Sequence, residues 1–285
     1  MGFNSIADTV NAMEAGQTWT SYWYKSSGPT IAVPRWVDCS VGSGVPTYQA
    51  YSATPLAFTP QNGGTNRFIY TGPSISNDQQ KYLFSWQFYT STANILSARM
   101  VDVLGFYAAI DGDVTDLQTF DNTTTLPRYT SGDGVQMFMI QAAPGVSNGT
   151  ATINYTNSDN VAQSITVGIM SSTTLGSSVL TSGSTISNNS ISPFGPLSSG
   201  DRGVKSVDSI QFNTGIGGVY TLILVKPICT MQTGASSIAT EKVLINQSAA
   251  SMPEIKPTSA LTIISTGTAS AGCAPSFGQF NFVWG

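Results

Sequence analysis

From about Ile31 onwards the chain is written in short apolar or alternating runs, each soon closed by Gly, Pro, Asn, Asp or Ser. That punctuation is the grammar of strands and turns, and it leaves little room for long helices. Candidate strands cover residues 67–70, 82–89, 105–110, 135–142, 150–155, 163–169, 206–213, 219–226 and 277–284. In one place the pairing is readable: Ala151-Thr152-Ile153-Asn154-Tyr155 and Ile165-Thr166-Val167 flank a polar tip at Asn157-Ser158-Asp159-Asn160, the pattern of an antiparallel hairpin. Residues 93–104 set Asn94, Ser97 and Arg99 against Ile95, Leu96, Met100 and Val103, which fits either a helix or one more strand. Residues 171–200 form a Ser/Thr/Asn/Gly-rich run, yet Leu175, Val179, Leu180, Ile186 and Ile191 recur in it, so a strand and loops lying over a sheet are expected there rather than a linker. No repeat of solenoid or propeller length is present. The expectation is an all-β antiparallel β-sandwich over residues 19–285, built as one large domain or as two fused lobes, behind an N-terminal arm over residues 1–18.

That arm is the exception to the β grammar. Phe3, Ile6, Val10 and Met13 recur at spacings of three and four, Ser5 and Asp8 form a start signal, and Gly16 a stop, so a short amphipathic helix opens the chain. It is either a lid on its own domain or an arm that docks on a neighbouring subunit. Behind it Trp19, Tyr22, Trp23, Tyr24 and Trp36 crowd together, a density of rings that seals a core or an interface. Phe3, Ile6, Val10, Met13, Trp19, Trp23 and Trp36 are therefore the candidate contact residues.

Composition then narrows function. The 285 residues include no histidine, and only 9% are Asp, Glu, Lys or Arg, against about a quarter in an average soluble domain. Without His, the commonest general base and metal ligand, most hydrolase and metalloenzyme mechanisms lose their usual residue; no enzyme activity and no cofactor are expected. Hydrophobic residues make up 41% and the net charge is only −4, so the chain folds rather than staying disordered. The 11 basic residues are scattered singly and offer no stripe for a phosphate backbone, so nucleic acid is not expected as a direct partner. The N-terminus carries no basic and apolar leader, and apolar runs such as 219–225 and 261–264 are too short to cross a bilayer as a helix. A soluble protein made in a reducing bacterial cytoplasm, with no membrane partner, is expected. Cys39, Cys229 and Cys273 are odd in number and widely spaced, which suits reduced, buried thiols better than disulfides or zinc.

The densest acidic run is Asp111-Gly112-Asp113-Val114-Thr115-Asp116, followed by Asp121. Asp111, Asp113 and Asp116 are the calcium candidates, since nearby carboxylates can wrap a hard cation. An EF-hand loop counted from Asp111 would need glycine and glutamate where Asp116 and Asn122 stand, so an ordinary turn is the expected reading and no metal site is assigned. Paired carboxylates could serve a glycosidase, but Glu14, Glu241 and Glu254 sit in no acid or nucleophile motif.

The missing charge has a physical use. Burying Ser, Thr or Asn at a contact costs less than stripping water from Lys or Glu and freezing its long side chain. Several strings sharpen that reading: Thr125-Leu126-Pro127-Arg128-Tyr129 with Gly132-Asp133-Gly134-Val135-Gln136, Tyr155-Thr156-Asn157-Ser158-Asp159, Gly200-Asp201-Arg202-Gly203-Val204-Lys205-Ser206-Val207, and Tyr220-Thr221-Leu222-Ile223-Leu224-Val225-Lys226-Pro227. Together, across residues 19–284, they resemble virion structural proteins of tailed bacteriophages, and among them the capsid cement or decoration proteins. The resemblance implies a dimeric or trimeric jelly-roll-like sandwich on the capsid exterior that clamps major capsid protein subunits. The alternative is a tail or fibre component that binds host-surface carbohydrate through exposed Trp and Tyr.

Overall fold

The computed structural model describes residues 2–29, 35–91, 96–181, 192–233, 238–244, 252–267 and 275–285. Chain order is α1 (Ile6–Glu14), β1 (Thr18–Lys25), β2 (Val37–Asp38), β3 (Gly44–Val45), β4 (Phe58–Pro60), β5 (Lys81–Thr90), β6 (Leu96–Asp111), β7 (Gln118–Thr119) and β8 (Gln136–Ala143). It continues through β9 (Gly149–Asn157), β10 (Ala162–Ile169), β11 (Val204–Phe212), β12 (Val219–Gln232), β13 (Thr240–Val243), β14 (Glu254–Ile255), β15 (Leu261–Gly267) and β16 (Ser276–Trp284). The fold is an all-β antiparallel sandwich with one short N-terminal helix. Among the described residues, no helix is long and apolar enough to cross a membrane.

The described residues form three sheets. An outer sheet runs β13-β5-β16-β1-β3, with β14 also paired to β5; a four-stranded sheet runs β10-β9-β11-β7; a central sheet runs β2-β15-β6-β12-β8, with β4 also on β6. The hairpin of residues 151–167 forms as read, with Ile153 opposite Ile165. Its tip is closed by the Asn157 side chain, whose Oδ1 accepts from the Asp159 and Val161 amides at 3.0 and 2.9 Å, and by Asn160 at φ 61°.

The 16 residues of β6 and the 14 of β12 pair along most of their length. Two cores lie on one face of the sheet they form. Ala98, Met100, Met231, Leu261 and Ile263 pack with Trp23, Leu83, Trp86, Phe88, Phe280 and Phe282 beneath the outer sheet. Leu104, Tyr107, Ile110, Met137, Met139, Leu222 and Leu224 pack with Ile153, Tyr155, Val167, Val207 and Ile210 beneath the four-stranded sheet. The opposite face, with Val101, Val103, Phe138, Ile140, Ile223 and Val225, is covered by Trp36, Tyr51, Phe68 and Phe194 from the connections. The two cores thus share one sheet.

Asp102 stands on β6 between Met100 of one core and Leu104 of the other. It is fully buried, and Arg128 meets it fork to fork, Nη2 to Oδ1 at 2.7 Å and Nε to Oδ2 at 3.0 Å. Ser259 Oγ and the Ala260 amide each donate to the same carboxylate at 2.8 Å. Arg128 places its other protons on Gln61 O, Asn62 Oδ1 and Val103 O at 3.0, 3.1 and 3.0 Å. All five guanidinium donors are satisfied, the condition under which a buried pair is tolerated at all.

One open alternative is decided here and one expectation corrected. Residues 93–104 are no helix over their described part, which enters β6 at Leu96. Because this strand is buried on both faces it shows no alternation, and a continuous apolar run cannot be told from a buried helix by period. Residues 67–70 do not form a strand; Ile69 makes a single bridge to Leu261. Within residues 171–200, the buried pair Val179 and Leu180 runs along the edge of β8, the Val179 amide donating to Met139 O at 3.0 Å. Ile186, Ile191 and Cys273 lie outside the described residues. Cys39 and Cys229 are free thiols; Cys39 is buried beside Ser265, and burial pushes the Cys229 thiol up to about 12.

Candidate contact surfaces

The strings that carried the resemblance converge at one end of the four-stranded sheet. Asn157 Nδ2 donates to Asp201 Oδ1 at 2.7 Å, Arg202 pairs with Asp159 at 2.9 Å, and the Ser158 amide donates to Gly203 O at 3.0 Å. Tyr155 donates its hydroxyl to the Asp201 carboxylate, and Lys226 Nζ reaches Asp133 O at 2.8 Å. The backbones come so close that a Cβ on Gly203 would stand 2.1 Å from Gly132 O. This knot fastens loops; every polar group named in it already has a partner.

The N-terminal helix is capped as its sequence requires. The Ser5 hydroxyl accepts from the Asp8 amide at 3.1 Å, and the Asp8 carboxylate accepts from the Asn4 amide at 3.0 Å. Thr9 and Ala12 are buried, while Phe3 and Met13 pack with Tyr82, Phe84, Met252 and Val283 on one end of the outer sheet. Ile6 and Val10, one turn apart, each remain 44% exposed. Of the four apolar residues chosen from the sequence, two anchor the helix and two form an outward ridge.

The aromatic segment divides by strand parity. Trp23 is 2% exposed, its Nε1 donating to Ser276 Oγ at 3.0 Å, and Trp36 is 7% exposed beneath the Arg99 guanidinium. Both are core residues, a correction to their choice as contact residues. On β1 the side chains alternate, so Ser21, Trp23 and Lys25 turn inward and Tyr22 and Tyr24 outward. Trp19 stays 39% exposed, edge-on against Tyr70. The period of two in residues 18–25 held the signal that Tyr22 and Tyr24, not Trp23, face outward.

Those two tyrosines open a larger surface. Register aligns Tyr24 with Phe277 and Phe277 with Tyr89, then Tyr22 with Gln279 and Gln279 with Gln87, and finally Thr20 with Asn281 and Asn281 with Ser85. The Phe277 ring stacks on Tyr89 at 4.9 Å and 13° and meets Tyr24 at 5.0 Å and 40°. None of these nine side chains carries a charge. A cleft of about 340 Å³ lies over the first two rows, lined also by Trp23, Ala239 and Gly278. Helix α1 covers the far end of the same sheet, near Tyr82 and Val283.

The acidic run behaves as a turn. Asp111 Oδ1 accepts from the Asp113 amide at 2.9 Å, and Asp121 Oδ1 accepts from the Thr123 amide at 2.9 Å. Among the described residues, no three His, Cys, Asp or Glu side chains gather where they could hold a metal ion, so Asp111, Asp113 and Asp116 do not converge.

No family model matches the chain, and no curated protein matches it. Among solved structures, the T=1 particle derived from infectious bursal virus aligns over 93% of this chain and 77% of that one, at 11% identity and a TM-score of 0.17. The Gt strain of infectious bursal disease virus aligns over 94% and 80%, at 11% and 0.17, and its VP2 subviral particle over 93% and 79%, at 10% and 0.14. Overlaps this loose transfer neither topology nor role.

Proposed function

We propose that this chain is a structural subunit of a bacteriophage particle that decorates the capsid and braces neighbouring major capsid protein subunits, acting as a homo-oligomer on the shell exterior. The observation that carries the reading is where the scarce charges go. Of 11 Lys and Arg and 15 Asp and Glu, Lys25, Arg35, Lys81, Arg128, Asp38 and Asp102 are buried. Lys25, for one, is fully buried and donates to the Ser40 and Gly42 carbonyls at 3.2 and 2.9 Å. An exterior already poor in ions becomes poorer still, and hydroxyl, amide and apolar groups are what a permanent interface buries at least cost. The Ile6 and Val10 ridge supplies an apolar contact on an element whose other face is anchored.

Bracing then works by many modest contacts held at high effective concentration. Few screened ion pairs take part, so attachment should vary little with ionic strength. The test is to delete residues 1–16 and measure occupancy on purified particles and the temperature at which they release genome. Loss of most bound copies and earlier release are expected. Unchanged values would remove the arm from the mechanism, and a free monomer absent from mature particles would end the reading.

A further inference from the structure

A sheet edge offers unpaired backbone groups, and proteins guard such edges with short strands, charge, proline or a flanking segment. Here β3 and β7 are two residues long, β4 is three and ends on Pro60, and β13 and β14 carry Glu241, Lys242 and Glu254. Residues 177–179 lie against β2 and β8, with Ser177 bridged to Val37 and the Val179 amide donating to Met139 O at 3.0 Å. Past β3, β1 is flanked by Tyr70, whose carbonyl accepts from Ser21 Oγ and whose ring meets Trp19. Past β8, β12 carries Lys226 and Pro227. The edge of β10 has none of these devices over residues 162–166, in eight residues without charge or proline and in unbroken register with β9. We infer that it is a self-association edge, where two copies pair their β10 strands antiparallel about a twofold axis at Ser164 and join two four-stranded sheets into one of eight.

The direction of each backbone group follows from the bonds already made. The Asn157 amide donates to Val161 O at 3.0 Å, so the odd-numbered residues that follow face β9. On the other side the Met170 amide donates to Val179 O at 2.8 Å, and Gly168 O accepts from the Thr181 amide at 3.0 Å. Even-numbered residues therefore point their N–H and C=O groups outward, and residues 179–181 close the edge from Gly168 on. Ala162, Ser164 and Thr166 keep three donors and three acceptors without a partner among the described residues, and all three residues are exposed.

The occupant is a second copy because the open stretch is its own complement. A twofold axis at its centre sets Ser164 opposite Ser164 and Ala162 opposite Thr166, so the three donors on each copy meet the three acceptors of the other. A register centred on Ile165 would set Ala162 against Gly168, whose carbonyl Thr181 already holds. No charged residue lies between Asn160 and Met170, so the axis brings no like charges face to face. On the core side Ile165, half-buried at the margin of the core beneath this sheet, gains cover from Gln163 of the second copy. Each chain spends this edge in the contact, so the pair closes and does not propagate. The inference builds on the homo-oligomer proposed above, to which it gives a surface.

The full chain should be followed by sedimentation equilibrium and by amide hydrogen exchange. It should form a dimer as its concentration rises through the micromolar range. The Ser164 and Thr166 amides, which have no acceptor among the described residues, should exchange several-fold more slowly in the dimer than in dilute solution. Ser164→Pro removes only an outward N–H, where an edge strand accepts proline, and should sediment as a monomer. Ser164→Lys and Ser164→Glu, at an exposed position, should each weaken the dimer several-fold while melting like the dilute wild type. An equal mixture of those two should dimerise again, because the axis sets residue 164 against itself and the opposite charges then face each other. A monomer into the millimolar range, a dimer untouched by all three variants, or a mixture no stronger than either variant alone would overturn the assignment. These measurements use free protein, so their failure leaves shell attachment to its own occupancy test, and failure of that test leaves the edge standing.

Discussion

Replacing Arg128 by Ala removes five hydrogen-bond donors from the seam between the two cores and strands the Asp102 carboxylate there. Breaking one partner out of a buried pair costs about 3–5 kcal/mol. The carbonyls of Gln61 and Val103 lose their donors as well, at about 1 kcal/mol each, while Ser259 and Ala260 still hold the carboxylate and pull the sum down. A net loss of about 4–6 kcal/mol follows, a large share of the roughly 5–15 kcal/mol that stabilises a domain. At about 2–4 °C per kcal/mol for chains somewhat shorter than this one, the melting temperature should fall by roughly 8–24 °C. Arg128→Lys keeps the charge but not the fork, and should cost about 2 kcal/mol. Urea unfolding followed both by tryptophan fluorescence and by far-ultraviolet circular dichroism adds a second readout. Trp23 and Trp86 lie in the core under the outer sheet, and the other core contains no tryptophan. In the wild type the two probes should coincide; in Arg128→Ala they should separate, because the shared seam no longer couples the two cores. A loss below about 1 kcal/mol, the size of an exposed ion pair, would show that the seam is wet and refute the reasoning.

Lys81, which donates to the Thr71 and Pro73 carbonyls, is lowered by burial from 10.5 to about 8. Between those values the unfolded chain holds the extra proton, so stability should rise as pH climbs from about 8 towards 10, by about 1–2 kcal/mol after allowance for its partial contact with solvent. Above pH 10 the sign reverses, because burial raises Tyr107 and Tyr129 and only the unfolded chain then ionises freely. Lys81→Met should flatten the rise in a pH series of thermal melts; a persisting rise would assign it to another group. Iodoacetamide at pH 8 followed by peptide mapping should leave Cys39 and Cys229 unlabelled in the native protein, Cys39 because its side chain is buried and Cys229 because desolvation raises its thiol to about 12; rapid labelling of either would contradict this. Ser5→Ala should cost the helix about 1 kcal/mol and speed amide exchange across residues 6–14, and unchanged exchange would show that packing alone holds it. Calcium at millimolar concentration should leave the melting temperature unchanged, whereas a rise of several degrees would mean that Asp111, Asp113 and Asp116 do converge on a cation.

Much of the architecture was legible one strand at a time. The hairpin at residues 151–167, the capped helix at Ile6–Glu14 and the two-residue alternation of Thr18–Lys25 are written in local patterns. The strand beginning at Leu96 was not, because burial on both faces erases the alternation that identifies a strand. Trp23 and Trp36 misled for a related reason: a ring marks a packed place without saying whether neighbour or solvent lies on its far side. Arg128 stood in a quoted string, but nothing near it in sequence named Asp102 as its partner.

What the sequence alone determined is the β class, the helix at the start and an exterior starved of ions, since each follows from residue type and short-range spacing. The tertiary structure alone decided that β6 and β12 pass under two cores, that an ion pair sits at their seam, and that the Tyr24, Phe277 and Tyr89 rings pack against one another in a row across three strands. The physical reason is that cross-strand neighbours are set by register between segments up to some two hundred and fifty residues apart, as between Tyr24 and Phe277, and register is fixed only when the whole sheet closes over its core.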